Sequence, residues 1–183
     1  PMLPVTSQIP VIASIASLAA GTDAWLVDIW GVIHNGVAPF VSATEACRAF
    51  RERGGTVLLL SNAPRPWTSV EGALAKIGVD REAWDAIVTS GDAARGLIAE
   101  WAGRPVYHVG PERDLPLLEG LDLNLVPPEA ATGIVCTGLF DDTTETPGDY
   151  RKILERLRAR GLAMICANPD LKVERGGQII YCA

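Results

Sequence analysis

The sequence is poor in cysteine, with four in 183 residues, and none of them forms a CxxC pair. A closely spaced pair would indicate a zinc or thiol redox site, and that pattern is missing. The four cysteines lie far apart, each in an apolar stretch, and they are Cys47, Cys136, Cys166 and Cys182. We therefore expect reduced thiols in the core of a cytoplasmic protein.

Clusters of positive charge and long apolar runs are also missing. Sixteen basic residues are scattered among 22 acidic ones, and the net charge is −6. Nucleic acids and anionic membranes attract concentrated positive charge, so we expect neither as a partner. No segment reaches the roughly 20 uninterrupted apolar residues of a membrane span.

The first 21 residues are apolar and end in small residues, as a signal peptide does, but no basic residue precedes the apolar stretch. Ile12, Ile15, Leu18 and Ala19 recur at helical spacing. This pattern predicts an amphipathic first helix of a soluble, cytoplasmic protein.

From residue 24 onward, apolar strands alternate with amphipathic helices. The predicted strands cover 24–29, 56–62 and 86–90, and the predicted helices cover 42–55, 68–78 and 92–101. The second strand is almost continuously apolar, as strands buried on both faces of a parallel sheet are. Leu97, Ile98 and Trp101 form the apolar stripe of the last helix. The alternation predicts a doubly wound parallel α/β sheet, which binds ligands at the carboxyl ends of its strands.

A second α/β segment begins near Gly103. Strands are predicted at 105–110, 134–139 and 163–168, and helices at 112–120 and 148–161. In the longer helix an apolar residue recurs at i, i+3, i+4 and i+7, which predicts a core-facing stripe of Tyr150, Ile153, Leu154 and Leu157. We therefore predict two domains, residues 1–102 and residues 103–183.

Polar residues follow two of the predicted strands. Asp28 ends the first strand, and Ser61 and Asn62 end the second. In a parallel sheet these ends lie on one rim, where a carboxylate beside a hydroxyl can hold a phosphoryl group or a metal ion. A lone aspartate at a strand end is also typical of a turn or helix cap, so the pattern alone leaves both interpretations open.

Two motifs resemble those of the haloacid dehalogenase (HAD) superfamily. The stretch LVDIWGVIHNG, residues 26–36, is similar to its first motif, and LLLSNAPRP, residues 58–66, is similar to its second, 33 residues from Asp28 to Ser61. The subgroup it most resembles is class IIA, whose members carry a C2-type cap and include sugar-phosphate, nucleotide, 4-nitrophenyl phosphate and pyridoxal phosphate phosphatases. Further similarities lie at 87–91, 106–110, 137–139 and 168–170.

This resemblance implies a Rossmann-like HAD core and a smaller α/β cap formed by residues 103–183. Asp28 would be the nucleophile that forms an aspartyl-phosphate, and it would bind Mg²⁺ together with the backbone carbonyl of Trp30. Ser61 would hydrogen-bond the phosphoryl oxygens, with Asn62 and Arg65 close to the substrate. A hard cation with oxygen ligands suits this chemistry because it neutralises phosphate charge.

Other residues are candidates for substrate contact. Gly31 would let the chain turn away beneath the phosphate, and the cap turns would supply Asp141, Asn168, Asp170 and Lys172 from strand ends that face the rim. Solvated surface turns are the alternative interpretation for each of these cap residues.

Trp30 departs from the family pattern, which has a second aspartate at this position as general acid and base. An indole cannot transfer a proton, and loss of such a group typically costs about 10²–10⁴ in rate. His34 titrates near neutrality and is the candidate substitute, or it is a loop residue that contacts substrate or backbone. Trp30 would then be a stacking platform or a packing residue. Dehalogenases of the superfamily also have an aromatic residue here, but their cap is of another type.

The lysine and the acidic metal ligands of the third and fourth family motifs are expected after the cap, and no matching sequence precedes Ala183. We therefore expect residues 1–183 to contain the first part of the core and the cap, and to have no phosphatase activity alone.

Three functions follow from these observations. The leading hypothesis is a Mg²⁺-dependent phosphatase, a phosphoric monoester hydrolase acting on a small sugar phosphate or nucleotide. The alternative is a catalytically impaired HAD domain that binds a phosphorylated ligand or a partner protein. A generic Rossmann nucleotide binder is disfavoured because no GxGxxG follows the first strand. A homodimer is left open.

Overall fold

The structure, a computed structural model, describes residues 11–175 and 178–182. Its first sheet consists of β1 (Ala24–Asp28), β2 (Thr56–Ser61) and β3 (Ala86–Thr89), which are parallel and adjacent in that order. Asp28 pairs with Leu60, and Ser61 pairs with Thr89. The carboxyl ends of the three strands therefore lie together at one edge of the sheet.

Helices connect these strands. α1 (Ala16–Ala19) precedes β1, α2 (Val41–Glu52) follows it, α3 (Trp67–Lys76) follows β2, and α4 (Ser90–Ala99) follows β3. A 3-10 helix spans Arg81–Ala83. Side chains of α2 and α3 are buried with those of β2 in one apolar cluster that includes Cys47, Phe50, Val57, Leu59, Val70 and Leu74. Parallel strands connected by helices confirm the predicted α/β class.

The second sheet consists of β4 (Pro105–Val109), β5 (Asn124–Leu125), β6 (Gly133–Cys136) and β7 (Ala163–Cys166), parallel and in the order β5-β4-β6-β7. A 3-10 helix (Glu112–Leu117) follows β4, and α5 (Pro147–Ala159) connects β6 to β7. An antiparallel hairpin of β8 (Lys172–Arg175) and β9 (Gln178–Tyr181) follows β7. The predicted domain boundary at residue 102 stays a prediction.

The sequence around α5 explains where this helix begins and which face it buries. The backbone N–H of Thr146 donates to the Asp149 carboxylate at 2.8 Å, and Pro147 occupies the first turn, where its missing N–H costs nothing. Tyr150 and Leu157 lie seven residues apart on the same apolar stripe, and both are buried against the second sheet. The predicted core-facing stripe of this helix is therefore confirmed.

The expectation that β2 is buried on both faces is wrong for the described part of the chain. Leu59 is completely buried, but Leu60, on the opposite face, is 36% exposed. Leu26 and Val88 on the neighbouring strands are also exposed on that face. The reason is that α2 and α3 pack on the Leu59 side, and side chains alternate between the two faces of a strand.

The predicted apolar stripe of α4 is partly wrong. Ile98 is fully buried, whereas Leu97 is 56% exposed. Adjacent residues on a helix point about 100° apart, and α4 turns Ala94 and Ile98, four residues apart, toward the second apolar cluster. Trp101 packs at the margin of that cluster.

Two helical predictions differ from the structure. The first helix covers only Ala16–Ala19, and Ile12, Ile15 and Leu18 are exposed; residues 1–10 lie outside the described residues. So short a helix gains little without packing partners. The segment predicted as a helix at 112–120 forms a 3-10 helix with a proline inside it. Among the described residues every helix is too short or too polar to cross a membrane.

We expect Ile98→Ala to lower the free energy of unfolding by about 2–5 kcal/mol, because it leaves a cavity under α4. The matched control is Leu97→Ala, one residue away on the exposed side, for which we expect a change below about 1 kcal/mol. Urea unfolding followed by circular dichroism measures both. Equal losses in the two variants would contradict the orientation of α4.

Candidate active site

An open groove of about 700 Å³ lies at the carboxyl ends of the first sheet. Nine residues from β1, β2, β3, α4 and the turn after β7 line it, and they are Leu26, Asp28, Leu60, Ser61, Asn62, Val88, Thr89, Ser90 and Asp170. Four of the sequence-predicted site residues are therefore brought together, three from the first sheet and one from the second half of the chain. Ligands of doubly wound folds bind at this edge of the sheet.

Asp28 is exposed at the end of β1, and its position is fixed by its neighbours in the chain. Its Oδ1 accepts a hydrogen bond from the backbone N–H of Ile29 at 2.7 Å. Ile29 and Ile33 are buried in the first apolar cluster, which anchors the turn that follows the strand. The result is a carboxylate held at the groove by a rigid backbone, as a nucleophile requires.

Trp30 packs within the loop that follows Asp28. Gly36 has φ +87°, and a Cβ built on it would lie 2.6 Å from the indole ring, so the ring lies directly over this glycine. The indole also meets the His34 ring edge-on, with ring centroids 5.2 Å apart. Gly31, at φ +77°, donates its N–H to the His34 carbonyl at 2.8 Å. These contacts favour packing as the role of Trp30.

His34 contacts the backbone of its own loop, which agrees with the interpretation of His34 as a loop residue, and its contact with substrate stays a prediction. The residue is 8% exposed and is not among the described residues that line the groove. Its Nδ1 accepts the backbone N–H of Gly36 at 2.8 Å, which places the ring proton on Nε2. Burial lowers the pKa of His34, so the neutral imidazole is favoured. His34 closes the loop around Trp30, and this arrangement does not favour a proton donor.

Asn62 connects the first sheet to the turn after β7. Its side-chain amide donates to Asn168 Oδ1 at 3.3 Å and also to the Asp170 carboxylate. The Asp170 N–H in turn donates to Asn168 Oδ1 at 3.0 Å. Ser61 lies beside this contact, and its hydroxyl oxygen accepts the N–H of Ala63 at 3.1 Å. The second motif thus contacts the turn at 168–170, which we call the NPD turn, through direct hydrogen bonds.

The loop after Ser61 is held against the start of α4. Gly91 donates its N–H to the Ala63 carbonyl at 3.1 Å, and the Thr89 hydroxyl donates to the Arg65 carbonyl at 2.7 Å. A Cβ on Gly91 would lie 2.4 Å from the Arg65 carbonyl oxygen. Only glycine permits this close backbone approach. The conformation of the loop that follows Ser61 therefore depends on the absence of a side chain at position 91.

Arg65 points to the 3-10 helix that follows β4 instead of to the groove. Its Nε lies 3.6 Å from Asp114 Oδ1, and Asp114 is buried. Burial raises the pKa of Asp114, and the charges of Arg65 and Arg113 act in the opposite direction. The guanidinium charge partly offsets that of the buried carboxylate, but at 3.6 Å the two atoms form no hydrogen bond, and the buried Arg65 Nε has no hydrogen-bond partner among the described residues. Contact of Arg65 with substrate stays a prediction.

Asp141 also differs from the expectation, since it is not among the described groove residues. Its carboxylate accepts hydrogen bonds from the Thr143 hydroxyl at 2.5 Å and the Thr144 hydroxyl at 2.9 Å. These bonds hold the pKa of Asp141 below its usual range. The residue organises its own turn, as aspartates at loop starts commonly do.

Sequence reasoning missed Thr89 and Ser90 as groove residues. The Ser90 hydroxyl lies 2.7 Å from the Ala167 carbonyl and 3.2 Å from the Ala63 carbonyl, so it joins the two halves of the chain. The signal was available, because Thr89 and Ser90 follow the third apolar strand as Ser61 follows the second. The β8–β9 hairpin was missed too: β8 lies in a stretch predicted as a turn, and nothing was predicted for β9.

The oxygen atoms at the groove are the type of ligand that hard divalent cations prefer. The Asp28 carboxylate lines the groove, and the Trp30 carbonyl, the other expected ligand, stays a prediction. In residues 11–175 and 178–182, no group of three histidine, cysteine, aspartate or glutamate side chains is close enough to hold a metal ion. A cation bound by Asp28 would therefore need further oxygen ligands from water or substrate.

A parallel α/β fold with a carboxylate and a hydroxyl at adjacent strand ends defines a Rossmann-like protein with a site suited to phosphoryl chemistry. The sequence model of the haloacid dehalogenase-like hydrolase family matches residues 25–124, more than half of the chain. This chain belongs to that family, as the motifs of β1 and β2 suggest.

Solved structures agree with this assignment. A haloacid dehalogenase-like hydrolase from Brucella suis 1330 is 46% identical, with a TM-score of 0.90, and the match covers 94% of this chain and 63% of that one. The 4-nitrophenylphosphatase from Thermotoga maritima is 20% identical, with a TM-score of 0.67, over 88% and 60% of the two chains. No curated protein sequence matched the chain.

The glycerol phosphate phosphatase from Mycobacterium tuberculosis in complex with magnesium is 21% identical, with a TM-score of 0.64, over 90% of this chain and 49% of that one. At this identity the likeness concerns the fold alone. The present chain spans less than two thirds of the length of each of these three proteins.

We expect Gly91→Ala to lower the free energy of unfolding by about 1–3 kcal/mol, because the new methyl group displaces the Arg65 backbone. Gly96→Ala is the matched control on the same helix, where no atom lies within 4 Å of the added Cβ. There the higher helix propensity of alanine should stabilise the protein by about 0.5–1 kcal/mol. Thermal and urea unfolding measure the difference, and a stabilised Gly91→Ala protein would disprove the close approach.

We expect the imidazole of His34 to titrate below the ordinary pKa of about 6.5 in an NMR titration, because burial disfavours its charged form. The unfolded chain then binds more protons than the folded one between the two pKa values. The contribution of His34 to stability is therefore present above pH 6.5 and is lost as the pH falls through the folded pKa. His34→Asn keeps an acceptor for Gly36 and identifies the resonance. A midpoint above 6.5 would contradict the buried, neutral ring.

Proposed function

We propose that this chain is the nucleophile-bearing part of a phosphatase that acts on a small phosphorylated metabolite. The main observation behind this proposal is that Asp28, Ser61 and Asn62 line one groove at the carboxyl ends of adjacent parallel strands. Membership of the hydrolase family and the phosphatases among the proteins of similar fold support the proposal.

The reaction proceeds in two displacements at phosphorus. A carboxylate oxygen of Asp28 attacks the phosphoryl group, a P–O bond to Asp28 forms, and the P–O bond to the alcohol breaks. Water then attacks the aspartyl-phosphate, which releases inorganic phosphate and regenerates the carboxylate. The Ser61 hydroxyl donates a hydrogen bond to the phosphoryl oxygens and stabilises their charge during both steps.

Mg²⁺ is the cation we propose, held by Asp28 and the Trp30 carbonyl. When bound, it would neutralise the negative charge of the phosphoryl group and so permit approach of the carboxylate. The magnesium complex of a phosphatase with a similar fold supports this choice. Asn62 orients the NPD turn through Asn168, and Asp170 approaches the substrate from the side of the cap.

The proposed substrate is a sugar phosphate or a nucleotide. A groove of about 700 Å³ lies in the range of small-molecule sites. Its walls combine the polar residues at the strand ends with the apolar side chains of Leu26, Leu60 and Val88, which would contact the non-phosphate part of the molecule. Residues 103–183, as the proposed cap, would select among such substrates.

A second candidate function is binding of a phosphorylated ligand without turnover. Trp30 stands where the family places its general acid, and its indole packs on Gly36. The neutral, buried His34 is a weak proton donor. A site that can hold a phosphoryl group but cannot protonate the leaving group would bind and not hydrolyse it.

We expect the full-length protein to hydrolyse members of a phosphate-ester panel in the presence of Mg²⁺ and to lose this activity with EDTA. Asp28→Asn should abolish turnover, because an amide is not a nucleophile for phosphorus. Ser61→Ala should lower kcat by about 10²-fold through the loss of one oxyanion donor.

Asp23→Asn is the matched control, since this exposed aspartate precedes β1 and lies outside the groove residues. Its activity should equal that of the wild type. Full activity of Asp28→Asn would disprove the proposed nucleophile. Absence of turnover combined with Asp28-dependent binding of phosphorylated compounds in calorimetry would establish the second candidate.

A further inference from the structure

Cys136 and Cys166 are 30 residues apart in the sequence but are neighbours in the second sheet. Cys136 ends β6, Cys166 ends β7, and the two residues are partners in the parallel register. Neighbouring strands lie about 4.7–4.9 Å apart, and disulfides form between Cα atoms about 4.4–6.8 Å apart. Register partners on adjacent parallel strands leave the sheet on the same face, so the two thiol side chains are neighbours.

The two thiols differ in exposure and acidity. Cys166 is exposed, whereas Cys136 is half-buried and packs against the cluster that contains Tyr150 and Leu157. The pKa of Cys166 is lowered to about 6, because the Cys136 thiol donates a hydrogen bond to its thiolate. The same contact, together with burial, raises the pKa of Cys136. An exposed thiolate beside a protonated, sheltered thiol is the arrangement of an attacking and a resolving cysteine.

We propose that Cys136 and Cys166 form a reversible disulfide when the protein meets a peroxide. The Cys166 thiolate attacks one oxygen of hydrogen peroxide, which breaks the O–O bond and gives a sulfenic acid and, after protonation, water. The Cys136 sulfur then attacks the sulfenic sulfur, the S–S bond forms, and a second water leaves. Two thiols are oxidised, one peroxide is reduced to two waters, and a dithiol reductant reverses the reaction.

The bond would act on the NPD turn. In its protonated form the Cys166 thiol donates to the Asn168 carbonyl oxygen at 3.1 Å, and the Asn168 side chain accepts the Asn62 amide at the groove. Both ionisation of Cys166 and its oxidation remove the thiol proton that makes this bond. Drawing the Cys166 sulfur toward Cys136 removes this contact and changes the support of Asn168. The disulfide itself is independent of the proposed phosphatase activity; only an effect on turnover would rest on it.

The test is oxidation of the full-length protein by a small excess of hydrogen peroxide, followed by thiol titration and non-reducing peptide mapping. The sequence contains four cysteines, and we expect the number of free thiols among them to fall from four to two. Peptide mapping should then show one linked pair of peptides, which contain Cys136 and Cys166. Dithiothreitol should restore both thiols. A linkage through Cys182 or Cys47, or oxidation of Cys166 to sulfinic acid without a linkage, would overturn the proposal.

Two variants separate the steps. Cys136→Ser should accumulate a sulfenic acid at Cys166 that dimedone traps, because the resolving thiol is gone. Cys47→Ser, which removes a buried thiol of the first sheet, should form the same linkage as the wild type. Hydrogen exchange on the oxidised wild type should show faster exchange of the Asp170 amide, which donates to Asn168. Unchanged exchange would disprove the effect on the turn, whatever the phosphatase assay gives.

Discussion

The approach of the Arg65 backbone to Gly91 is the constraint on which the rest of the site depends. The Gly91 position admits no side chain, so the loop after β2 lies directly on the first turn of α4. Ser61 and Asn62 at one end of that loop therefore reach the groove, and Arg65 at its other end reaches Asp114 in the 3-10 helix after β4. A single backbone contact fixes both a candidate phosphoryl ligand and a connection between the two halves of the chain.

The two halves are joined by polar contacts around this loop. The Ser90 hydroxyl approaches the Ala167 carbonyl, the Asn62 amide reaches Asn168, and the charge of Arg65 partly offsets that of the buried Asp114 carboxylate. Polar contacts of this kind gain little net stability but depend strongly on geometry, because a misplaced partner leaves a buried group unsatisfied. They suit a junction that holds the turn at 168–170 against the strand ends of the first sheet.

The loop after Asp28 combines a candidate catalytic residue with a packing core of its own. Trp30 fills the space over Gly36, and His34 fastens the same turn through the Gly36 amide. The residue types that suggested chemistry at these two positions therefore serve the shape of the loop. This leaves Asp28 rigidly held and without a proton donor from this loop, which explains why substrate hydrolysis and ligand binding are both chemically coherent outcomes.

The sequence by itself determined the alternation of strands and helices, the α/β class and the strand ends that carry Asp28, Ser61 and Asn62, because hydrophobic periodicity and motif spacing are local properties. The family followed from the same stretches. Only the tertiary structure decided which side of each element is covered by other elements. The sequence pattern predicted Leu60 and Leu97 as buried core residues, but both side chains are exposed.

Tertiary contacts also assigned the polar side chains. Three polar residues near the motifs contact groups outside the groove, and they are His34, Arg65 and Asp141. The contact of Arg65 is with Asp114, a residue distant in sequence, so the local pattern could not predict it. The same reason applies to Cys136 and Cys166, which look isolated in the chain and become partners only when β6 and β7 pair. Local pattern specifies the elements, whereas strand pairing and close packing specify which side chains meet.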